Sequence, residues 1–314
     1  MSQIFTFTIV VPLYNEEKVF PELCRRVADA CAAAREPYEI LFVDDGSSDR
    51  TLELIREGAK ANPKIKFLSF SRNFGHQVAV SAGIERAARG GAVIVIDGDL
   101  QDPPELITKL LAKWREGWEV VYAVRQKRKE NAVLKFFYFA FYRLLQRSAE
   151  IQIPLDAGDF CLMDPKVVDV LRRMPERNRF VRGIRAWAGF RQTAMPYDRQ
   201  ERAAGEPKYS YRKLFNLALD GFTSFSQLPL RLCGYLGFAI AAVSIIGLVY
   251  SVISKLFYDA TPQGWTSTTI AIFFIGGVQL LMLSVVGTYV GRIYTEVQGR
   301  PLYILKDSNL EKSE

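Results

Sequence analysis

Two aspartates one residue apart, Asp97 and Asp99, follow directly on the apolar run Ala92–Ile96, in the order Asp97-Gly98-Asp99-Leu100-Gln101-Asp102. A short β-rich run ending in carboxylates sets them at the C-terminal edge of a sheet, where open α/β folds bind ligands. Carboxylates this close repel one another unless a cation lies between them. All-oxygen ligation suits Mg²⁺ or Mn²⁺, ions that commonly hold diphosphates. The plainer alternative is a solvated acidic turn, since Asp and Gly are frequent turn residues. Taken alone, the motif leaves the two readings level.

Three further loops tip the balance. Pro12-Leu13-Tyr14-Asn15-Glu16-Glu17 follows the apolar run Phe7–Val11, and Asp44-Asp45-Gly46-Ser47-Ser48-Asp49 follows Glu39–Val43. Arg72-Asn73-Phe74-Gly75-His76 follows Lys66–Ser69. Four polar loops at one sheet edge can reach one crevice. Of Asp44 and Asp45, one is expected to accept hydrogen bonds from a nucleobase or ribose and the other to cap a turn. Arg72 suits a phosphate or an acidic neighbour within the site. The first strand lacks G-x-G-x-x-G and the chain has no P-loop, which disfavours a Rossmann-type hydride-transfer enzyme. His76 is the only histidine, which weakens a catalytic triad or a His-ligated metal.

The elements that must position these loops alternate in kind. Strands are expected at Phe7–Val11, Glu39–Val43, Lys66–Ser69, Val93–Ile96 and Val120–Val124, and helices near Glu17–Ala34, Asp49–Ala61, Gln77–Ala88 and Pro104–Glu116. That alternation predicts an α/β fold with a doubly wound, mostly parallel sheet over residues 1–228. Asp49 suits a helix cap and Pro104 a first helical turn.

Composition changes near residue 228. Leu232–Ser254 carries no charge and is long enough for a membrane helix, and a second uncharged stretch from Ala260 to Gly291 has its apolar centre near residues 270–290. These predict a hairpin of two transmembrane helices, at about 232–254 and 269–291, within residues 229–295. Arg231, Arg292 and Arg300 flank its outer ends, so the positive-inside rule makes both termini and the front domain cytoplasmic. Residues 131–147 and 211–227 mix aromatics with basic residues and are expected to lie as helices on the membrane surface. The polar tail, 296–314, is expected to fray after Lys306. The formal charge of +7 and a pI near 9.2 suit anionic partners. Basic residues beside apolar segments favour lipid over nucleic acid. Four cysteines without C-x-x-C or zinc spacing read as reduced thiols.

The ordered set VVPLYNEE (10–17), VDDGSSD (43–49), RNFGHQVA (72–79) and DGDLQDPPE (97–105) resembles family 2 glycosyltransferases. Within them it is most similar to the polyprenyl-phosphate glycosyltransferases, the dolichol-phosphate mannosyltransferase group and bacterial bactoprenol glucosyltransferases. GDFCLMD (158–164), the basic stretch 189–214 and the two-span tail extend the likeness over almost the whole chain.

The resemblance implies a GT-A type nucleotide-sugar-binding domain at an inner or plasma membrane, a divalent metal (Mg²⁺ or Mn²⁺), a nucleotide-sugar donor and a polyprenyl phosphate acceptor (undecaprenyl or dolichyl phosphate). Asp97 and Asp99 would hold the metal, and Asp97 and Gln101 the donor. Pro12, Tyr14, Glu16, Asp44 and Asp45 would frame the nucleotide. Asp159 matches the acidic residue given the catalytic role, while Arg125, Arg199, Arg202 and Lys208 would take the acceptor phosphate. Cys161 departs from the pattern, since relatives often carry Arg there. The implied reaction is an inverting hexose transfer, with UDP-glucose the leading donor.

A processive polysaccharide synthase shares the front domain but normally carries Q-x-x-R-W, of which Arg185-Ala186-Trp187 is a faint echo. A non-catalytic membrane scaffold or lipid-carrier protein is the other rival, disfavoured by Asp97, Asp99 and Asp159. The oligomeric state stays open, a homo-oligomer included.

Overall fold

The central strand β1 (Phe7–Leu13) and its neighbour β2 (Tyr38–Asp44) are buried at every position. Strands covered on both faces read as continuous apolar runs rather than as alternations, which is why these segments announce themselves in the sequence. A computed structural model describes residues 6–125, 157–177, 179–198, 228–258 and 264–310. The chain divides into two units: the described residues up to 198 together with 300–310, and the described residues of 228–299.

The first unit is an eight-stranded sheet in the order β7-β5-β6-β4-β1-β2-β3-β8. The remaining strands are β3 (Ile65–Phe70), β4 (Ala92–Val95), β5 (Val120–Arg125), β6 (Ala157–Met163), β7 (Gln192–Tyr197) and β8 (Leu305–Ser308). Strands β4, β1, β2 and β3 run parallel, as do β5 and β7, whereas β6 is antiparallel to both β4 and β5.

Helices α1 (Phe20–Ala33), α2 (Thr51–Ala61) and α4 (Ile107–Arg115) cover one face of the sheet. Helices α3 (His76–Arg86), α5 (Pro165–Arg173) and α6 (Val181–Trp187) cover the other. In α1 the buried residues Phe20, Leu23, Val27, Ala30 and Cys31 follow helical spacing and meet Ile9, Val11, Phe42 and Ile94 of the sheet. Asp49 accepts from the amide of Thr51 at the start of α2, and Pro104 opens a short 3₁₀ turn leading into α4. All four cysteines are free thiols.

The five expected strands and four expected helices are present. Strands β6, β7 and β8 extend the expectation, and β8 corrects it. The tail expected to fray instead pairs antiparallel with β3, with Ser69 opposite Asp307 and Phe70 opposite Leu305. Asp307 is also held by Arg56, whose Nε lies 2.8 Å from Oδ2, and Asn309 accepts from the amide of Phe67 at 2.7 Å. A polar strand on a sheet edge shows no apolar period, so composition alone reads it as loop.

The second unit contains α7 (Leu228–Tyr258) and α8 (Trp265–Val297). Among the described residues one segment, Phe274–Val297, is long and apolar enough to cross a membrane, and Leu232–Gly247 forms a shorter apolar stretch. Phe238, Ile246, Leu280 and Leu283 are exposed on these helices, more apolar surface than a water-facing helix carries without a partner. The surface helices expected at 131–147 and 211–227 lie outside the described residues.

Candidate active site

The strand order reverses between β1 and β4, and in such folds the crevice opens beyond the carboxyl ends of those strands. Val10 pairs with Val95, so Pro12 stands level with Asp97, where β4 has already left the sheet. A proline there forfeits no ladder bond, although β1 is central. On the other side of β4, Val95 pairs with Cys161 of the antiparallel β6. Two residues further, the same register brings Asp159 level with Asp97. Phe160 and Leu162 belong to the core on the α1 side, so alternation turns Asp159 and Cys161 toward α3 and α6.

The first two loops lock each other. Asn15, in the left-handed region at φ 53°, donates its amide to Ser47 Oγ at 3.0 Å, and its Oδ1 accepts from the amide of Ser48 at 2.8 Å. The amide of Glu16 donates to Thr51 Oγ1 at 2.9 Å. Tyr14 and Glu16 flank Asn15 in this locked loop, and Tyr14 is exposed.

Asp44 is buried and accepts from the amide of Ser47 at 3.0 Å and from Ser69 Oγ at 2.8 Å. Asp45 is buried and accepts from the amides of Phe74, at 2.7 Å, and Gly75, at 2.9 Å. Burial pushes the Asp45 carboxyl up, against the pull of those two amides. Both aspartates therefore brace loops. Between them and the third loop, a Cβ on Gly46 would lie 2.3 Å from the carbonyl carbon of Arg72, at φ +69°. Only glycine lets the second and third loops approach this closely.

Asp97 stands at the centre of a further group of contacts. Its Oδ1 is buried without a hydrogen-bond partner, and burial raises its pKa to about 6 despite the nearby His76. His76 Nε2, from the first residue of α3, lies 3.6 Å from Asp97 Oδ1 and 3.3 Å from Asp159 Oδ2. Burial works against a charged ring, but Asp159 and Asp97 together raise the His76 pKa to about 9. Asp99 is partly exposed, and its Oδ1 accepts from the amide of Gln101 at 3.1 Å across a turn in which Leu100 adopts φ 55°. Gly98 packs on the end of β1, where a Cβ would meet Leu13 Cδ2 at 2.4 Å and the Pro12 carbonyl at 2.9 Å.

His76, Asp97 and Asp159 bring three potential metal-binding atoms within 4.8 Å of one another. This grouping differs from the expected Asp97–Asp99 pair. Asp159 is already committed: Arg182 Nε donates to Oδ1 at 2.7 Å, Arg182 Nη2 to Oδ2 at 2.9 Å, and Gln77 Nε2 to Oδ2 at 3.3 Å. Although it is buried, which raises a carboxyl pKa, Arg182 and His76 hold it far below the usual carboxylate range. An ionised carboxylate so strongly stabilised is a weak base and a good anchor. The orphaned oxygen of Asp97 is the atom that fits a hard divalent cation.

Arg125 ends β5, beside Tyr197 of β7. Arg199, Arg202 and Lys208 lie outside the described residues. Arg72, expected to meet a phosphate or an acidic side chain, instead stacks over the Phe74 ring at 4.1 Å and donates to the Asn73 carbonyl. Cys161 is buried, and burial pushes its thiol up, with the Arg185 guanidinium nearby as an opposing influence. Arg185 therefore brings a guanidinium to Cys161 from α6. Arg182, His76 and Gln77 are the site residues that sequence reasoning did not assign. RNFGHQVA contains two of them, but Arg182 stands in a stretch with no motif of its own.

The family model for glycosyl transferase family 2 matches residues 8–172. The glycosyltransferase YkcC of Bacillus subtilis (strain 168) is 48% identical over 309 residues, covering 98% of this chain and 95% of its own. The SfII prophage-derived bactoprenol glucosyl transferase of Shigella flexneri is 41% identical over 303 residues, covering 96% and 98%. A prophage bactoprenol glucosyl transferase homolog of Escherichia coli (strain K12) is 39% identical over 300 residues, covering 95% and 98%. With the family's motifs lining one crevice and full-length relatives at these identities, this chain belongs to glycosyl transferase family 2 and is a glycosyltransferase.

Proposed function

We propose that the chain transfers a hexose from a nucleotide sugar, UDP-glucose foremost, to the phosphate of a polyprenyl phosphate at the cytosolic face of a membrane. The observation that carries this reading is the facing pair Asp97 and Asp159, one with an oxygen that lacks a hydrogen bond and one gripped by Arg182 and His76. It is supported by relatives named bactoprenol glucosyl transferase and by the apolar span Phe274–Val297. In this reading α7 and α8 both cross the bilayer, with the termini and the sheet domain in the cytosol.

Donor and acceptor are both anionic, so the site must supply positive charge. Asp97 and Asp99 would hold Mg²⁺ or Mn²⁺, whose contribution when bound is to stabilise the charge growing on the departing diphosphate. Gln101 lies beside them on the same turn. Pro12, Tyr14, Glu16 and Asp44 would frame the nucleotide with Asp45 close by, and both aspartates also brace its cradle through the loop amides they accept.

Asp159 acts by orientation. A phosphate monoester has a second pKa of about 6, so the attacking oxygen is largely ionised at neutral pH without a base. Asp159 holds Arg182 and His76 as a fixed pair of cations at the meeting point of the two substrates. Arg125, Arg199, Arg202 and Lys208 would gather the lipid phosphate. Because each buried methylene contributes about 0.8 kcal/mol, a long prenyl chain stays in the bilayer and the enzyme works at its surface.

The test incubates membranes containing the full chain with labelled nucleotide sugars and undecaprenyl phosphate, with and without Mg²⁺. Metal-dependent label in a short lipid-soluble product is expected. A long polymer would instead identify a synthase, and no transfer from any donor would leave a scaffold.

A further inference from the structure

We propose that Tyr303, in the segment after α8, is a positioning residue for the donor crevice, acting through the loop at residues 71–76. The proposal deepens the transfer reading and takes only its kinetic readout from it.

Tyr303 touches both ends of the unit formed by β3, this loop and α3. At the β3 end its ring stacks on Phe70, with centroids 5.0 Å apart and planes 20° apart. At the α3 end its hydroxyl accepts from Arg86 Nε at 3.2 Å and lies 3.3 Å from Glu85 Oε2. The next residue, Ile304, accepts from the amide of Ser71 at 2.9 Å, fixing the first residue of the loop.

From there the contacts run to the site. Phe70 meets Phe74 edge to face at 5.7 Å, and the Phe74 amide donates to Asp45. Gly75 donates to the same carboxylate, and the next residue, His76, reaches Asp97 and Asp159. Residues 71–73 are exposed, so the loop is held mainly by the Ser71 amide at one end and by the Phe74 and Gly75 amides on Asp45 at the other. Exposed loops open locally at small free-energy cost, so tying β3 and the far end of α3 to one side chain limits how far the two elements bounding the loop can move apart. An edge strand serving only to protect the sheet would need the β8 ladder and nothing at Tyr303.

The experiment uses the full-length chain in lipid nanodiscs with Tyr303→Phe, Tyr303→Leu and Tyr303→Ala. Hydrogen exchange is read in peptides spanning 71–78 and, as an internal control, in peptides of β1 and β2. Tyr303→Ala and Tyr303→Leu are expected to speed exchange in 71–78 by about tenfold while β1 and β2 stay protected. Tyr303→Phe keeps the stack but loses the hydroxyl contacts to Arg86 and Glu85, and is expected to fall between the parent and Tyr303→Ala. In the transfer assay the first two raise the donor KM by about tenfold and move kcat much less.

Unchanged exchange in 71–78, equal loosening of β1 and β2, or a Tyr303→Phe as impaired as Tyr303→Ala would overturn the proposal. If Tyr303→Ala fails to fold, Tyr303→Leu decides. The expected exchange pattern in a protein that transfers no sugar would leave the positioning role intact and sink the reaction instead.

Discussion

Arg182 grips both oxygens of Asp159, with Nε 2.7 Å from Oδ1 and Nη2 2.9 Å from Oδ2, on a strand whose register sets Asp159 level with Asp97. The grip joins α6 to β6 and keeps one carboxylate ionised beside another that has no hydrogen-bonding partner on Oδ1. The two aspartates are pushed in opposite directions, Asp97 up by burial and Asp159 down, against its burial, by Arg182 and His76. A pair so divided is suited to different tasks, one to meet a cation and one to hold cations in place.

Replacing the planar fork with a point charge should not preserve that geometry. Arg182→Lys is expected to lower kcat/KM for transfer by about 100-fold, and Arg182→Ala by more. Asp159→Asn should retain much more activity than Asp159→Ala if orientation is the need. Equal and total loss in both would show that the charge itself is required. Circular dichroism of each variant checks that the fold survives.

The two shifted partners predict opposite pH limbs in chelator-treated protein. Asp159 is lowered on folding, so its stabilisation is full above its unfolded pKa of about 3.9 and fades as pH falls below it. Asp159→Asn should flatten the acid limb between about pH 5 and 2. His76 is raised to about 9, so its stabilisation is full below the unfolded value and is lost as pH rises through the folded one. His76→Gln should flatten the alkaline limb between about pH 6.5 and 9. Thermal melts across pH read both effects.

Asp97 sets function against stability. Without metal its buried oxygen lacks a hydrogen-bond partner, so Asp97→Asn is expected to stabilise the metal-free protein by about 1 kcal/mol. The same variant should abolish metal-dependent transfer and weaken Mn²⁺ binding measured by calorimetry. A destabilised variant with parental Mn²⁺ affinity would contradict both halves.

Gly98 allows the turn that carries Asp97 and Asp99 to lie on β1. Gly98→Ala drives a methyl to within 2.4 Å of Leu13 Cδ2 and 2.9 Å of the Pro12 carbonyl. The backbone half of that clash cannot rotate away, so a stability loss of about 2 kcal/mol is expected, with Asp97 and Asp99 displaced. Transfer should drop by more than the folded fraction does, which a denaturant titration run beside the assay measures.

Much of this site is legible in the residues themselves. The buried runs at Phe7–Val11 and Glu39–Val43 mark central strands, and the acidic turn after Ala92–Ile96 marks the crevice. The family motifs name Asp97, Asp99 and Asp159. Other contacts cannot be read from local sequence. Asp44 and Asp45 accept from turn amides and Ser69 once the loops meet. Arg72 stacks on the Phe74 ring, a contact that forms only when the third loop folds back on itself. His76, as the only histidine, argued against histidine chemistry, yet it bridges the two key aspartates.

By itself the sequence determined which segments become strands and helices, and that four polar loops share one sheet edge, because apolar period and turn chemistry are local properties. Tertiary structure alone decided that β6 enters the sheet antiparallel and sets Asp159 level with Asp97. It also decided that Arg182 closes on that carboxylate and that the tail returns to β3 as an edge strand. Those pairings join residues far apart in the chain, and their stability comes from register, burial and charge that exist only once the sheet has assembled.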